Sequence, residues 1–220
     1  MSGVLRRPVA KSKELPPELI LFDIGGVLIR WKDEVVFRKV AERYQLSFSQ
    51  VTAAILPLRE LLQTGQISLR EMWERLSKQL GVPFPEDFHE LWAGTLLRMS
   101  RPNRAVLDLA KALRKRGFTT GLFSNTDAIH TLLFEESGWF TDFEPWILSY
   151  QLGVTKPAPA AFRAAAKLAG IPARKILFID DRRENVESAR KSGWRARSRP
   201  CHQCMDSCIC HRPGQDPSIS

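Results

Sequence analysis

Four short stretches of this 220-residue chain hold the side chains with chemistry to offer. Asp23 closes the apolar run L-I-L-F and is followed by I-G-G-V-L-I. Ser124 and Asn125 close T-T-G-L-F, Lys156 lies in L-G-V-T-K-P-A-P, and Asp180-Asp181 close K-I-L-F-I. Each has a structural explanation when taken singly: a strand terminator, a helix cap, a surface charge ahead of a Pro-initiated helix, a capping pair. Together they offer three carboxylates, a lysine, a hydroxyl and a helix-start amide. Crowded carboxylates repel unless a cation lies between them, and a small all-oxygen site suits Mg²⁺. A lysine beside it suits an anionic substrate, and a phosphate ester meets both demands.

The elements that must position these groups are legible as changes of period. E-L-I-L-F-D is a short apolar run of the kind that forms a buried parallel strand. Residues 32–100 then read as all-helical. D-E-V-V-F-R-K-V-A-E-R-Y is amphipathic, S-L-R-E-M-W-E-R-L-S-K-Q-L opens with a Ser68/Glu71 capping box, and E-D-F-H-E-L-W-A-G-T-L-L continues the pattern. From Pro102 onward helices alternate with the strands F-T-T-G-L-F-S-N, P-W-I-L-S-Y and K-I-L-F-I-D-D, joined by short connections. That alternation predicts an α/β fold: a doubly wound, Rossmann-like parallel sheet, interrupted after its first strand by an inserted all-helical cap. Such a sheet gathers its strand carboxyl ends in one crevice, which would bring Asp23, Ser124, Lys156 and Asp180-Asp181 together. The expected division is a basic leader at 1–17, a core at 18–31 and 101–194, a cap at 32–100, and a Cys-containing tail at 195–220.

The ordered series F-D-I-G-G-V-L, L-F-S-N-T-D, L-G-V-T-K-P-A-P and F-I-D-D-R-R-E-N-V resembles the four motifs of the haloacid dehalogenase (HAD) superfamily of hydrolases, over about Leu19 to Trp194. In particular it resembles the branch with the α-D-glucose-1-phosphate phosphatases and the amino-terminal phosphatase domain of soluble epoxide hydrolase. The resemblance implies an Mg²⁺-dependent phosphatase acting on a small phosphorylated metabolite, a sugar phosphate being favoured. Asp23 would form an aspartyl-phosphate, splitting one hard displacement into two easier ones. Asp23, the Gly25 carbonyl and Asp181 would hold Mg²⁺, with Asp180 a further ligand or the partner of a metal-bound water. Ser124 and the Asn125 amide would grip the phosphoryl oxygens, and Lys156 would neutralise charge. The chain departs from the family at Gly25, where most phosphatases carry a second Asp as general acid, a function typically worth ~10²–10⁴ in rate. Two alternatives stay open: a 2-haloacid dehalogenase, in which Asp23 attacks carbon, and a catalytically weakened binding protein.

In the cap, the loop Q-T-G-Q-I-S makes Gln66 a candidate substrate contact and Arg59 a weaker one, while Trp73, Phe88 and Trp92 recur at helical spacing and are expected in its core. His89 is expected at the surface. For His130 a solvent-facing position outweighs an approach to the crevice. The net charge of +9 is concentrated at the ends, +3 in residues 1–17 and +2 from Arg195 onward, leaving +4 for the body. With no interleaved aromatic-basic module, nucleic acid is not expected as a partner. With no long apolar segment and no secretory signal, neither is a membrane, and the expectation is a cytoplasmic monomer or homodimer. All four cysteines, Cys201, Cys204, Cys208 and Cys210, lie in the tail, where C-x-x-C and C-x-C pairs sit too close together for an ordinary zinc site. The segment R-A-R-S-R-P is expected to be unable to supply a further strand.

Overall fold

In the computed structural model, residues 16–30 and 34–198 are described. The leader as far as residue 15 and the four cysteines of the tail lie outside them. In chain order the elements are β1 (Leu19–Phe22), β2 (Ile29–Arg30), α1 (Glu34–Tyr44), α2 (Phe48–Gln63), α3 (Leu69–Leu80), a π-helical turn (Glu90–Gly94) running into α4 (Thr95–Met99), β3 (Arg101–Pro102) and α5 (Arg104–Lys115). Then follow β4 (Thr119–Ser124), α6 (Ala128–Ser137), β5 (Trp146–Leu148), α7 (Ser149–Leu152), α8 (Pro159–Ala169), β6 (Ile176–Asp180), α9 (Arg183–Lys191) and β7 (Arg195–Ser198).

Five strands form one parallel sheet in the order β5-β4-β1-β6-β7. Their apolar runs are buried on both faces. Ile20, Phe22, Leu122 and Ile179 pack with Val106 of α5 and Phe134 of α6, while Leu19, Leu21, Phe123 and Phe178 pack with Phe162 of α8 and Trp194. β1 lies at the centre between β4 and β6, so the residues after each of these strands emerge side by side.

Helices α1 to α4 bury a hydrophobic cluster of their own, which includes Phe37, Ile55, Trp73, Phe88 and Trp92. The capping box at Ser68 and Glu71 is present as expected. The chain leaves the core through β2 and returns through β3. These pair antiparallel, and Asn103 donates to the Val27 and Leu28 carbonyls at 2.9 and 2.7 Å. At the far side, Ser149 accepts the Thr126 N–H at 3.0 Å and donates to the Gln63 carbonyl at 2.6 Å. The helical layer is thus tied to the sheet at both ends.

Two expectations are corrected. Arg195–Ser198 does form a strand, pairing Leu177 to Asp180 with Arg195 to Ser198. An edge strand needs only one inward side chain, and Ala196 supplies it, while the arginines stay at the rim and Arg190 donates to the Ala196 carbonyl at 2.8 and 3.1 Å. His130 does not face solvent: it is 5% exposed, because its α6 position is roofed by Trp92 of the cap. His89 is exposed, as expected.

Candidate active site

Asp23 stands one residue beyond β1, its N–H donating to the Ile179 carbonyl at 2.9 Å. Its Oδ1 accepts the Ile24 N–H at 2.8 Å and lies 3.1 Å from Lys156 Nζ. Lys156 is 3% exposed, and a buried ammonium needs acceptors for its three protons. It has them: besides Asp23, Nζ donates to Asp180 Oδ2 at 2.8 Å and to the Phe123 carbonyl at 2.7 Å. The Phe123 and Phe178 rings flank it at 5.0 and 4.8 Å. The loop carrying Lys156 is aligned by Asn125, whose amide pairs with the Lys156 backbone in both directions, at 2.8 and 2.9 Å. The Asn125 side chain therefore works as a splint between β4 and the lysine loop, a role its residue type alone did not reveal.

Asp180 is fully buried and its oxygens are occupied. Oδ1 accepts the Arg182 N–H at 2.8 Å, Oδ2 takes Lys156, and the Asn185 amide donates to both at 3.1 and 2.9 Å. Asn185, on the first turn of α9, is a neighbour of the site that the sequence reading left unassigned. Its place five residues after Asp180, on the first turn of the helix that follows β6, was the available signal. Asp181 turns the other way, toward Gly26. A Cβ on Gly26 would lie 2.0 Å from Asp181 Oδ2, and Gly26 has φ +74°, so the second glycine of G-G answers both a left-handed turn and the approach of a carboxylate. Gly25 bridges to Ile29 in the same turn.

Oxygens of Asp23, Asp180 and Asp181 all lie within 4.8 Å of one another. The cost of this crowding appears in their ionisation. Burial, followed by the charge of Asp180, pushes Asp23 up to about 6 against the pull of Lys156 and of the Ser124 hydroxyl. Burial and Asp180 likewise raise Asp181. A donor set of carboxylate oxygens crowded within 4.8 Å, two of them raised by burial and by the Asp180 charge, fits a hard divalent cation. Since Asp180 is consumed by Lys156, Arg182 and Asn185, the carboxylates that suit direct contact are Asp23 and Asp181.

The model of the haloacid dehalogenase-like hydrolase family matches residues 17–193. The chain belongs to that family. Among curated relatives of this HAD-like hydrolase, rat bifunctional epoxide hydrolase 2 is 28% identical over 195 residues, which cover 78% of this chain and 34% of that protein. The chain thus spans about a third of the length of that relative. D-ribitol-5-phosphate phosphatase of Bacteroides thetaiotaomicron is 28% identical over 189 residues, covering 80% of this chain and 88% of the relative. A solved HAD family enzyme of the same bacterium, in complex with magnesium and inorganic phosphate, superposes with a TM-score of 0.70 at 24% identity and covers 83% of this chain and 93% of its own. That likeness establishes the fold.

Of the residues singled out in the sequence, Asp23, Lys156, Asp180 and Asp181 meet directly. Ser124 is buried beside them at the end of β4, and Asn125 joins through the Lys156 backbone. Gln66 stands apart, on the cap loop, where its amide donates to Thr64 Oγ1 at 2.8 Å. Arg59 lies over the Phe37 ring at 5.9 Å. Trp92 proves to be more than core. Its indole N–H donates to Asp127 Oδ2 at 3.2 Å, and the same oxygen lies 2.8 Å from His130 Nδ1. Asp127 is the N-cap of α6, and the His130 charge and hydrogen bonds hold its carboxyl below the ordinary range in spite of burial. No helix among the described residues is long and apolar enough to cross a membrane.

Proposed function

We propose that this hydrolase is an Mg²⁺-dependent phosphatase that cleaves a small phosphate monoester through an aspartyl-phosphate on Asp23. The observation that carries the reading is the buried Lys156, bridging Asp23 at 3.1 Å and Asp180 at 2.8 Å beside a third carboxylate. With Oδ1 held by Lys156 and the Ile24 N–H, Oδ2 of Asp23 is oriented for attack on phosphorus. The ester oxygen leaves with the electron pair of the broken P–O bond and takes its proton from solvent, and water then cleaves the acyl phosphate, releasing phosphate and regenerating the Asp23 carboxylate. Ser124 and the backbone N–H of Asn125 donate to the phosphoryl oxygens, and Lys156 balances their charge. Asp23, Asp181 and the Gly25 carbonyl would hold Mg²⁺, which supplies Lewis-acid stabilisation of the phosphoryl charge when bound.

Lys156 has no proton to lend, since its three donor positions serve Asp23, Asp180 and the Phe123 carbonyl. Gly25 offers none either. The ester therefore carries a leaving group that departs with little protonation, such as the anomeric oxygen of a sugar phosphate or a phenolic oxygen, whose acidity resembles that of tyrosine at pKa ~10. The substrate in the name of the ribitol phosphatase is also a small phosphate monoester, though one of a primary alcohol, which makes it the contrasting leaving group in the test. Phosphate release from glucose-1-phosphate, ribitol-5-phosphate and phenyl phosphate tests the reading. Turnover should require Mg²⁺ and vanish in Asp23→Asn. Equal rates in wild type and Asp23→Asn would refute it, and metal-independent chloride release from a 2-haloacid would replace it with the dehalogenase.

A further inference from the structure

Residues 124–127, S-N-T-D, join β4 to α6 and carry Ser124 and Asn125, the two groups assigned above to the phosphoryl oxygens. Asn125 ties this loop to the core through the Lys156 backbone. Two more ties reach the cap. Ser149 Oγ accepts the Thr126 N–H at 3.0 Å and donates to the Gln63 carbonyl, at the end of α2, at 2.6 Å. Asp127 Oδ2 accepts the Trp92 indole N–H at 3.2 Å, while Oδ1 accepts the His130 N–H at 2.9 Å and so caps α6.

Burial and backbone both commit Trp92 to this contact. Trp92 is 3% exposed and Asp127 1%, and a buried carboxylate that loses a donor is left under-solvated. The indole also stacks on the His130 ring, with centroids 5.9 Å apart. Trp92 sits in the middle of the π-helical turn Glu90–Gly94, and single π-turns within helices occur frequently at functional sites. Trp73, in the same cap core, makes the contrast: its indole N–H has no hydrogen-bond partner among the described residues. One buried tryptophan of the cap thus contributes packing alone, and the other gives its N–H to the loop that carries Ser124.

We infer that Trp92 is a positioning residue for the reaction, its hydrogen bond to Asp127 fixing the 124–127 loop so that Ser124 and the Asn125 N–H stand ready for phosphate. The inference rests on the phosphatase reading and adds to it the cap side chain on which the phosphate grip depends. With the bond in place, the loop is ordered before the ligand arrives. Without it, that ordering is drawn from the binding energy, and affinity falls by about tenfold, the worth of a hydrogen bond to a charged group. The coupling is reciprocal, so bound phosphate in turn holds the cap against the core.

Calorimetric titration with inorganic phosphate in Mg²⁺ tests it, because Kd is read separately from the fraction of folded protein, which appears in the stoichiometry. Trp92→Phe keeps a ring and removes the N–H. Asp127→Asn offers one oxygen in place of two, so the acceptors of the His130 and Trp92 N–H groups are no longer both present. Each should raise Kd about tenfold, and Trp92→Phe should add less than about twofold in the Asp127→Asn background. Trp73→Phe, which removes an N–H that has no partner to lose, should leave Kd within about twofold of wild type. A wild-type Kd in either Trp92→Phe or Asp127→Asn, additive effects in the double variant, or an equal loss in Trp73→Phe overturns the inference alone. A wild type that binds no phosphate in Mg²⁺ overturns the phosphatase reading and this inference with it.

Discussion

Lys156→Met isolates the electrostatic core of the site. The lysine is buried, and its ammonium is the positive charge shared by Asp23 and Asp180. Methionine keeps much of the aliphatic volume between Phe123 and Phe178 and removes the charge. Breaking a buried pair by deleting one partner typically costs ~3–5 kcal/mol, because the other charge is left without compensation. Here two carboxylates are stranded, and the Phe123 carbonyl also loses its donor. For a domain of this size that loss lowers Tm by roughly 10 °C. The sign of its pH dependence follows from Asp23. Its folded pKa, already raised from 3.8 to about 6, rises further without the lysine, so the penalty for ionising it in the folded state appears as pH rises above 3.8 and is complete above the folded pKa. Urea unfolding of wild type and variant without metal should therefore show a large deficit at pH 7.5 and a smaller one at pH 5, where Asp23 holds its proton. A variant as stable as wild type at pH 7.5, or a deficit that does not shrink on acidification, would refute the assignment of Lys156 as counter-charge to these carboxylates.

Two further perturbations probe the same centre. Gly26→Ala forces a left-handed φ of +74° on a residue with a Cβ, at about 1–2 kcal/mol, and drives that Cβ against Asp181. The expected result is a fold that is less stable to urea by about that amount but still folded, while its thermal stabilisation by Mg²⁺ is lost, and an undiminished Mg²⁺ response would count against Asp181 as a ligand. In the wild type, protons compete with the cation for Asp23, whose pKa is raised to about 6 in the folded chain. Stabilisation by Mg²⁺, ~2.7 kcal/mol at a hundred times Kd, should be present above pH 6 and fall away below it, and an Mg²⁺ increment in differential scanning calorimetry that stays the same from pH 7.5 to pH 5 would refute that competition.

What the sequence displayed and what it concealed divide along a physical line. A strand buried on both faces, such as L-I-L-F or I-L-F-I-D, must be apolar throughout, so it announces itself. A parallel sheet must then deliver Asp23, Ser124 and Asp180 to the same side. β7 escaped because an edge strand is specified by backbone pairing and one inward alanine, and R-A-R-S carries no apolar run. The contact of Trp92 with Asp127 escaped because it joins residues 35 apart across two layers, and a tryptophan on a helical stripe reads as core whether or not its N–H finds an acceptor. The D-x-x-H spacing of Asp127 and His130, one helical turn, was the visible half of that network. The same limit governs the cap. Gln66 and, more weakly, Arg59 read in sequence as substrate contacts, yet in the fold the Gln66 amide donates to Thr64 and Arg59 lies over the Phe37 ring. A sequence names donors and acceptors without naming whom they serve. The meeting of Asp23 with Lys156 and Asp180 was readable because the sheet dictates their neighbours, and the partners of the cap loop were not, because they depend on how that loop folds.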